Sequence, residues 1–117
     1  MRAVYDVVDI TDEAAAAVTR SSLAAGRLVA FTADPGCVLL VNEREAGLWS
    51  DLRSMLERLS TGAATTHLPL GSASVTLPIA DGSLGLGTWQ RLLLIELERP
   101  GPRSVILQVL DDPTRKR

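Results

Sequence analysis

The sequence predicts a single α+β domain, and three observations carry that prediction. The chain has 117 residues, the usual size of one domain. Its apolar fraction of 46% is typical of a globular protein and too high for a disordered chain. Strand-like and helix-like segments follow one another without a linker or an internal repeat, and runs of antiparallel strands with two helices favour α+β. We therefore expect residues 1–117 to form one domain.

A strand and a helix are predicted first. Residues 2–10 are rich in valine, which favours a strand. Thr11 resembles a helix N-cap, and two acidic residues follow it where carboxylates suit the positive end of a helix. We expect this alanine-rich helix to run to about Ala25 and Gly26 to end it.

A turn and a second helix are predicted next. Residues 34–36 are Asp-Pro-Gly, a strong turn signal that joins the predicted strands 27–33 and 37–41 as an antiparallel pair. Asn42 is a candidate N-cap for the second helix. Apolar residues recur at helical spacing up to about Ser60, where we expect this helix to end.

Three further strands complete the predicted order β-α-β2-α-β3. They cover residues 75–79, 84–98 and 104–110, and Asp81-Gly82 predicts a hairpin between the first two. The apolar run Leu92–Ile95 gives the middle strand two apolar faces, which is typical of a central strand. Either the single chain buries both faces, or another copy of the chain covers one of them.

Charge and composition exclude several classes of function. The net charge is −2, the only basic run is at residues 115–117, and there are two tryptophans, one tyrosine and one phenylalanine, so we expect no nucleic-acid binding. No apolar run reaches the length of a membrane span, and the start of the chain lacks a signal-peptide pattern. Cys37 is the only cysteine and cannot form an internal disulfide. We expect a soluble, cytoplasmic protein with no membrane partner.

One motif resembles a known family. Residues 86–90 are Leu-Gly-Thr-Trp-Gln, and Glu96 and the Gly-Pro-Arg of residues 101–103 follow. This set resembles the signature of the YjbQ-like family, also known as secondary thiamine-phosphate synthases, and the similarity covers about residues 9–108. The resemblance implies a β-sandwich with two helices that assembles as a homotrimer. It also implies thiamine-phosphate synthase-like activity on a small phosphorylated ligand.

The family's histidine site is only partly present. Asp34 occupies a position where members typically carry a histidine, a second histidine is absent, and His67 resembles the third. The resemblance therefore implies His67, Asp34 and Glu43 as candidate catalytic residues. Each has a simpler interpretation: Asp34 as a turn residue, His67 as a solvated loop residue, and Glu43 as part of the first turn of the second helix.

Asn42, Gln90 and Arg103 are the candidate ligand-binding residues. Gln90 could orient a ligand or pair with neighbouring strands. Arg103 could hold a phosphate with its planar guanidinium or lie solvated in a loop. Trp89 is expected to pack in the core or at a subunit interface. We expect no metal site, because one histidine cannot form a zinc site alone, and the cofactor stays unknown.

Two functions remain open from the sequence. The chain is either a weak thiamine-phosphate synthase-like enzyme or phosphate-ligand binder, or a catalytically silent trimeric scaffold or interaction protein that has lost the histidine site. The missing histidines favour the second function. The intact Asn-Glu and Gly-Thr-Trp-Gln blocks favour the first, unless they serve only folding.

Overall fold

The computed structural model describes residues 6–34, 36–43, 50–51, 54–55, 72–97 and 103–112. The described elements follow the chain as β1 (Asp6–Asp9), α1 (Thr11–Ser21), β2 (Gly26–Phe31), β3 (Cys37–Glu43), β4 (Ser74–Ala80), β5 (Ser83–Leu84), β6 (Gln90–Glu96) and β7 (Ile106–Asp111). Residues 50, 51, 54 and 55 are helical, as the predicted second helix requires, and the rest of that segment lies outside the described residues. Within the described residues, no helix combines the length and the apolar character that a membrane crossing needs.

The strands form two antiparallel sheets around a common core. One sheet has the order β1-β6-β3 and the other has the order β5-β4-β2-β7. Helix α1 contributes Ala14 and Val18 to the core between them. This arrangement confirms the α+β class. The buried members of the core are Ile10, Ala14, Val18, Leu28, Ala30, Cys37, Leu39, Leu77, Ile79, Leu92 and Leu94.

Strands β2 and β3 lie in different sheets, so the prediction that they form an antiparallel pair is wrong. Strand β2 pairs with β4 and β7, whereas β3 pairs with β6. The turn itself is present: the Asp34 carbonyl accepts a hydrogen bond from the Cys37 N–H at 3.1 Å, and Asp34 Oδ1 accepts one from the Gly36 N–H at 2.9 Å. Turn residues specify a change of direction, and side-chain burial decides which sheet the next strand joins.

Helix α1 begins and ends differently from the prediction. Thr11 is its first residue and not its N-cap, because the Thr11 hydroxyl accepts a hydrogen bond from the Leu92 N–H at 2.8 Å. Asp9 Oδ1 accepts the Thr11 N–H at 3.0 Å instead. The helix ends at Ser21, since Ser22 adopts the left-handed conformation at φ 60° and donates its N–H to an earlier carbonyl. It is therefore shorter than predicted.

Gly26 begins β2 and does not end the helix. Its φ is +155°, a value that side chains rarely adopt. A Cβ at this position would overlap the carbonyl oxygen of Leu110 on β7. The glycine is thus required by the close approach of two paired strands, where Gly26 lies opposite Asp111.

The strand predicted over residues 84–98 is two strands in two sheets. Strand β5 pairs with β4 across Asp81 and Gly82, whose φ values of 54° and 76° are both positive, as in a type I′ hairpin turn. Beyond β5, the Gly85 N–H donates to the Pro78 carbonyl at 2.7 Å. The chain then crosses to the other sheet and forms β6.

The run Leu92–Ile95 is buried by the single chain. Strand β6 is the central strand of its sheet, and each of these four residues is at most 4% exposed. Leu92 and Leu94 belong to the core between the sheets, while Ile95 packs on the opposite face with Leu97. Burial within the monomer is therefore the correct alternative, and this run no longer argues for an oligomer.

Candidate functional site

Charged side chains meet where β3 begins and β6 ends. Cys37 and Glu96 are paired across these strands, and both are 4% exposed. The Arg103 side chain, 7% exposed, reaches this point and places Nη1 at 3.1 Å from Asp34 Oδ2. We call Asp34, Cys37, Glu96 and Arg103 the Arg103 cluster. Two sequence-predicted candidates, Asp34 and Arg103, are thus brought into contact, and Arg103 is not a solvated loop residue.

The cysteine of the Arg103 cluster is held in its thiol form. Burial raises the pKa of the Cys37 thiol, the negative charges of Asp34 and Glu96 add to this rise, and Arg103 opposes it only in part. A raised pKa leaves little thiolate at neutral pH, and the thiolate is the reactive form. Cys37 is a buried free cysteine, and the raised pKa makes it a poor nucleophile.

A cavity of about 370 Å³ opens beside the Arg103 cluster. We call it the β1–β6 cavity, because these two strands supply much of its wall. Three of its lining residues are charged, namely Glu13, Glu96 and Arg103. Its volume lies within the range of small-molecule sites. The apolar lining residues are Val8, Ile10, Leu94, Val105 and Leu107.

Sequence reasoning missed Glu96 and Glu13 as cavity residues. A signal for Glu96 was available, because this carboxylate directly follows four consecutive buried apolar residues and alternation places it on the same face as Leu94. Glu13 gave no comparable signal. Its position in the first turn of a helix explains an acidic residue without any ligand.

Three predicted site residues lie at the opposite end of the same strand pair. Asn42 and Glu43 are the last residues of β3, not the start of a helix, and Glu43 is paired with Gln90. Glu43 lies six positions beyond Cys37 along the extended strand, which corresponds to about 20 Å. Within one chain, the five described candidates of the sequence analysis therefore lie at two separate ends of the β3–β6 pair.

The side-chain amides at this far end bind their own backbone. Gln90 Oε1 accepts a hydrogen bond from the Gly87 N–H at 2.8 Å, and Asn42 Oδ1 accepts one from the Glu43 N–H at 2.8 Å. These bonds hold the chain locally where it enters β6 and leaves β3. Both bonds are local, so the Gln90 bond is not the pairing with a neighbouring strand that the sequence suggested, and Asn42 does not cap a helix.

Trp89 does not pack in the core. Its side chain is 75% exposed in the single chain, so the core alternative of the prediction is wrong. The subunit-interface alternative stays a prediction. His67 lies outside the described residues. Among the residues that the structure does describe, no group of three His, Cys, Asp or Glu side chains is arranged to hold a metal ion.

A second ionic group joins β1, β6 and the start of α1. Arg91 Nε donates to Asp9 Oδ2 at 2.8 Å, and Arg91 Nη2 lies 3.4 Å from Asp12 Oδ1. Partial burial alone would raise the pKa of Asp9, but the hydrogen bonds from Arg91 and Thr11 together lower this pKa below its ordinary value. This group stabilises the fold and lies outside the cavity lining.

The fold and the cavity define a class of small two-sheet α+β proteins with a charged cavity beside the central strand of one sheet. Solved structures show the same fold. A structural-genomics protein from C. acetobutylicum superimposes with a TM-score of 0.86 at 25% identity, covering 94% of this chain and 93% of that one. A YbjQ-like protein of unknown function from Sulfolobus solfataricus gives 0.85 at 27% identity, covering 96% of this chain and 91% of that one.

Sequence similarity identifies the family. Residues 2–112 match the family described as UPF0047 protein YjbQ-like. A UPF0047 protein of Archaeoglobus fulgidus is 31% identical over 118 residues, which covers 90% of this chain and 91% of that protein. The chain therefore belongs to the YjbQ-like UPF0047 family, as its Leu-Gly-Thr-Trp-Gln motif predicts.

Proposed function

We propose that the chain is a small-molecule-binding member of its family and that the β1–β6 cavity is its binding site. The observation that carries this proposal is the pair of nearly buried charged side chains in the cavity wall, Arg103 at 7% and Glu96 at 4% exposure. Burying charged groups opposes folding, and a well-packed apolar core is often more stable. Charged groups in an otherwise apolar cavity are typical of a site that orients a ligand.

Thiamine-phosphate synthase-like turnover receives less support. In the single chain the candidate residues that the structure describes divide between two ends of the β3–β6 pair, about 20 Å apart. At the Arg103 end, a phosphate would compete with Asp34 for the guanidinium and would approach Glu96. Repulsion between the phosphate and these two carboxylates would oppose binding. We therefore expect synthase turnover at background.

The family resemblance leads us to propose a homotrimer as the working assembly. Exposed apolar side chains support self-association through the outer face of the second sheet. Phe31 on β2 and Ile106 on β7 are paired across the strands and are 38% and 59% exposed. Neighbouring Ala30 is fully buried, so Phe31 points away from the core. The exposed Trp89 offers a further apolar contact.

Binding of 1-hexanol, a small neutral amphiphile, tests the cavity directly. Methyl NMR should show saturable shifts at Leu94, Val105 and Leu107, which line the cavity, and no shift at Ile106, which is exposed on β7. Val105→Phe should abolish these shifts by filling the cavity. Shifts that fail to appear at millimolar hexanol, or that are as large at Ile106, would contradict the proposal.

A turnover assay separates binding from catalysis. We expect thiamine-phosphate synthase activity indistinguishable from a buffer blank. Robust turnover that is lost in Asp34→Ala or His67→Ala would contradict this expectation, because it would show that an aspartate or the single histidine performs the family reaction. The Asp81→Asn protein, changed in an exposed hairpin turn, is the matched control.

A further inference from the structure

The wall of the β1–β6 cavity contains two nearly buried side chains with opposite hydrogen-bonding capacity. Arg103 is 7% exposed, Glu96 is 4% exposed, and both line the cavity. A guanidinium has only N–H donors, whereas a carboxylate has only acceptor oxygens. Whatever bonds these two groups make within the protein, any bond from Arg103 to a ligand is donated and any bond to Glu96 is accepted.

A charged ligand group suits only one of these two side chains. An anionic group is attracted by Arg103 and repelled by Glu96, and for a cationic group the attraction and the repulsion are exchanged. An uncharged group that both donates and accepts meets neither repulsion. A primary carboxamide has this property on separate atoms, since its oxygen accepts and its nitrogen donates.

The rest of the wall favours an apolar body attached to that group. The other lining residues, apart from Glu13, are aliphatic. Leu94 and Glu96 both line the cavity and are two positions apart on β6, which corresponds to about 7 Å of extended strand. A ligand a few carbon atoms long therefore contacts the aliphatic wall with one end while its polar group lies at Glu96.

We propose that the β1–β6 cavity binds a small uncharged amide, a carboxamide carried on an apolar body. The carbonyl oxygen accepts from the Arg103 guanidinium, and the amide nitrogen donates to the Glu96 carboxylate. The apolar body contacts Val8, Leu94 and Leu107, and a cavity of about 370 Å³ holds a ligand of this size. This inference rests on the proposed function, because it names the chemical class of ligand for the same cavity.

Hexanamide and 2-heptanone test the donor requirement, since both carry a carbonyl on a pentyl chain and differ only in an amino group replaced by a methyl group. We expect hexanamide to bind at least about threefold more tightly in NMR titration, although its N–H groups must leave water. Binding of 2-heptanone as tight as that of hexanamide would overturn the proposal.

Hexanoate and hexylammonium test the charge requirement in the same titration. Each should bind more weakly than hexanamide, because each is repelled by one of the two wall residues. A charged ligand that binds as tightly as hexanamide would overturn the proposal. If 1-hexanol binds but hexanamide has no advantage, the amide assignment fails and the cavity site stands; if 1-hexanol does not bind, the proposed function fails with it.

Two variants connect each bond to its residue. Glu96→Leu should reduce the preference for hexanamide over 2-heptanone by about tenfold, because only the amide donates to the carboxylate. Arg103→Met should weaken both ligands, since both present a carbonyl oxygen. Asp12→Asn, outside the cavity lining, should keep the preference. A preference that persists in Glu96→Leu, with the fold checked by circular dichroism, would overturn the assignment, and the ligand comparisons on the unmodified protein decide the proposal even where a variant fails to fold.

Discussion

Asp9 shows how one side chain fixes three elements at once. One carboxylate oxygen accepts the N–H of Thr11 at the start of α1, and the other accepts Arg91 Nε from β6, 82 positions later in the chain. The first contact is local and follows from the preference of aspartate for the residues just before a helix. The second depends on the pairing of β1 with β6, which no local pattern predicts.

Replacing this carboxylate should make stability less dependent on pH. The pKa of folded Asp9 lies below its unfolded value, so its contribution is fully present above about pH 4 and is lost as the pH falls through the folded pKa. We expect Asp9→Asn to lower the free energy of unfolding by about 1–2 kcal/mol at pH 7, and by much less at pH 3. Denaturant unfolding at both values measures this difference.

Asp12 provides the control for Asp9, because it contacts the same arginine but is 90% exposed. Asp12→Asn should cause a smaller loss of stability that added salt removes. An Asp9→Asn protein as stable as the wild type at pH 7, or a loss that persists unchanged at pH 3, would contradict the assigned role of Asp9.

The sequence predicted individual residues of the candidate site but not the contacts between them. Asp34 and Arg103 were identified through the family motif, yet their contact joins a turn to a segment nearly 70 positions later and has no sequence signal of its own. Glu43 and Gln90 carried equal motif support, but strand register places them at the other end of the pair. A motif indicates which residues matter to a family and does not indicate which of them meet within one chain.

At the scale of elements, turns were predicted more reliably than strand partners. Asp81-Gly82 forms the predicted hairpin, since both residues tolerate positive φ. Asp34 also forms its turn, but there the next strand enters the other sheet. The prediction of one strand over residues 84–98 was wrong because apolar residues continue past Gly85 and Gly87 and hide the break. The Gly85 N–H still bonds to β4 of the second sheet, whereas β6 pairs with β1 and β3 of the first sheet.

The close contact of β2 with β7 should make Gly26 hard to replace. Gly26→Ala is expected to lower the free energy of unfolding by about 2–4 kcal/mol, because the new Cβ meets the Leu110 carbonyl and the φ of +155° is strained. Gly82→Ala is the matched control. Its φ of +76° is also unfavourable, but nothing lies within 4 Å of its Cβ, so the expected loss is about 1 kcal/mol. Equal losses in thermal unfolding would show that the β2–β7 contact is looser than described.

At the scale of the whole molecule, apolar contacts for another subunit are offered by the surface and not by the interior. The apolar run on β6 is buried within the single chain, whereas Phe31 and Ile106 remain exposed on neighbouring strands. The sequence could not distinguish burial within one chain from burial against another subunit, because periodicity indicates that a face is apolar and does not indicate what covers it.

Light scattering should give three times the 12.5 kDa chain mass at micromolar concentration. The double change Phe31→Ser with Ile106→Ser should reduce this mass, because it removes the exposed apolar contact. Leu93→Ala should keep the mass and lower the free energy of unfolding by about 2–5 kcal/mol, as expected for a side chain buried within one subunit. A monomer mass for the unmodified protein would contradict the trimer.

The distribution of consecutive strands between two sheets also sets the order in which the molecule can fold. Some 80 residues of sequence separate β1 from its partner β6, and a similar number separates β2 from β7. Such distant pairings slow folding, because loop closure opposes each of them before the contact is made. During synthesis β2 can pair early with β4 while its other edge stays open for several seconds, at about 5–20 residues per second. That open edge is where two nascent chains can pair with each other, so expression at low temperature and low rate should favour the native protein.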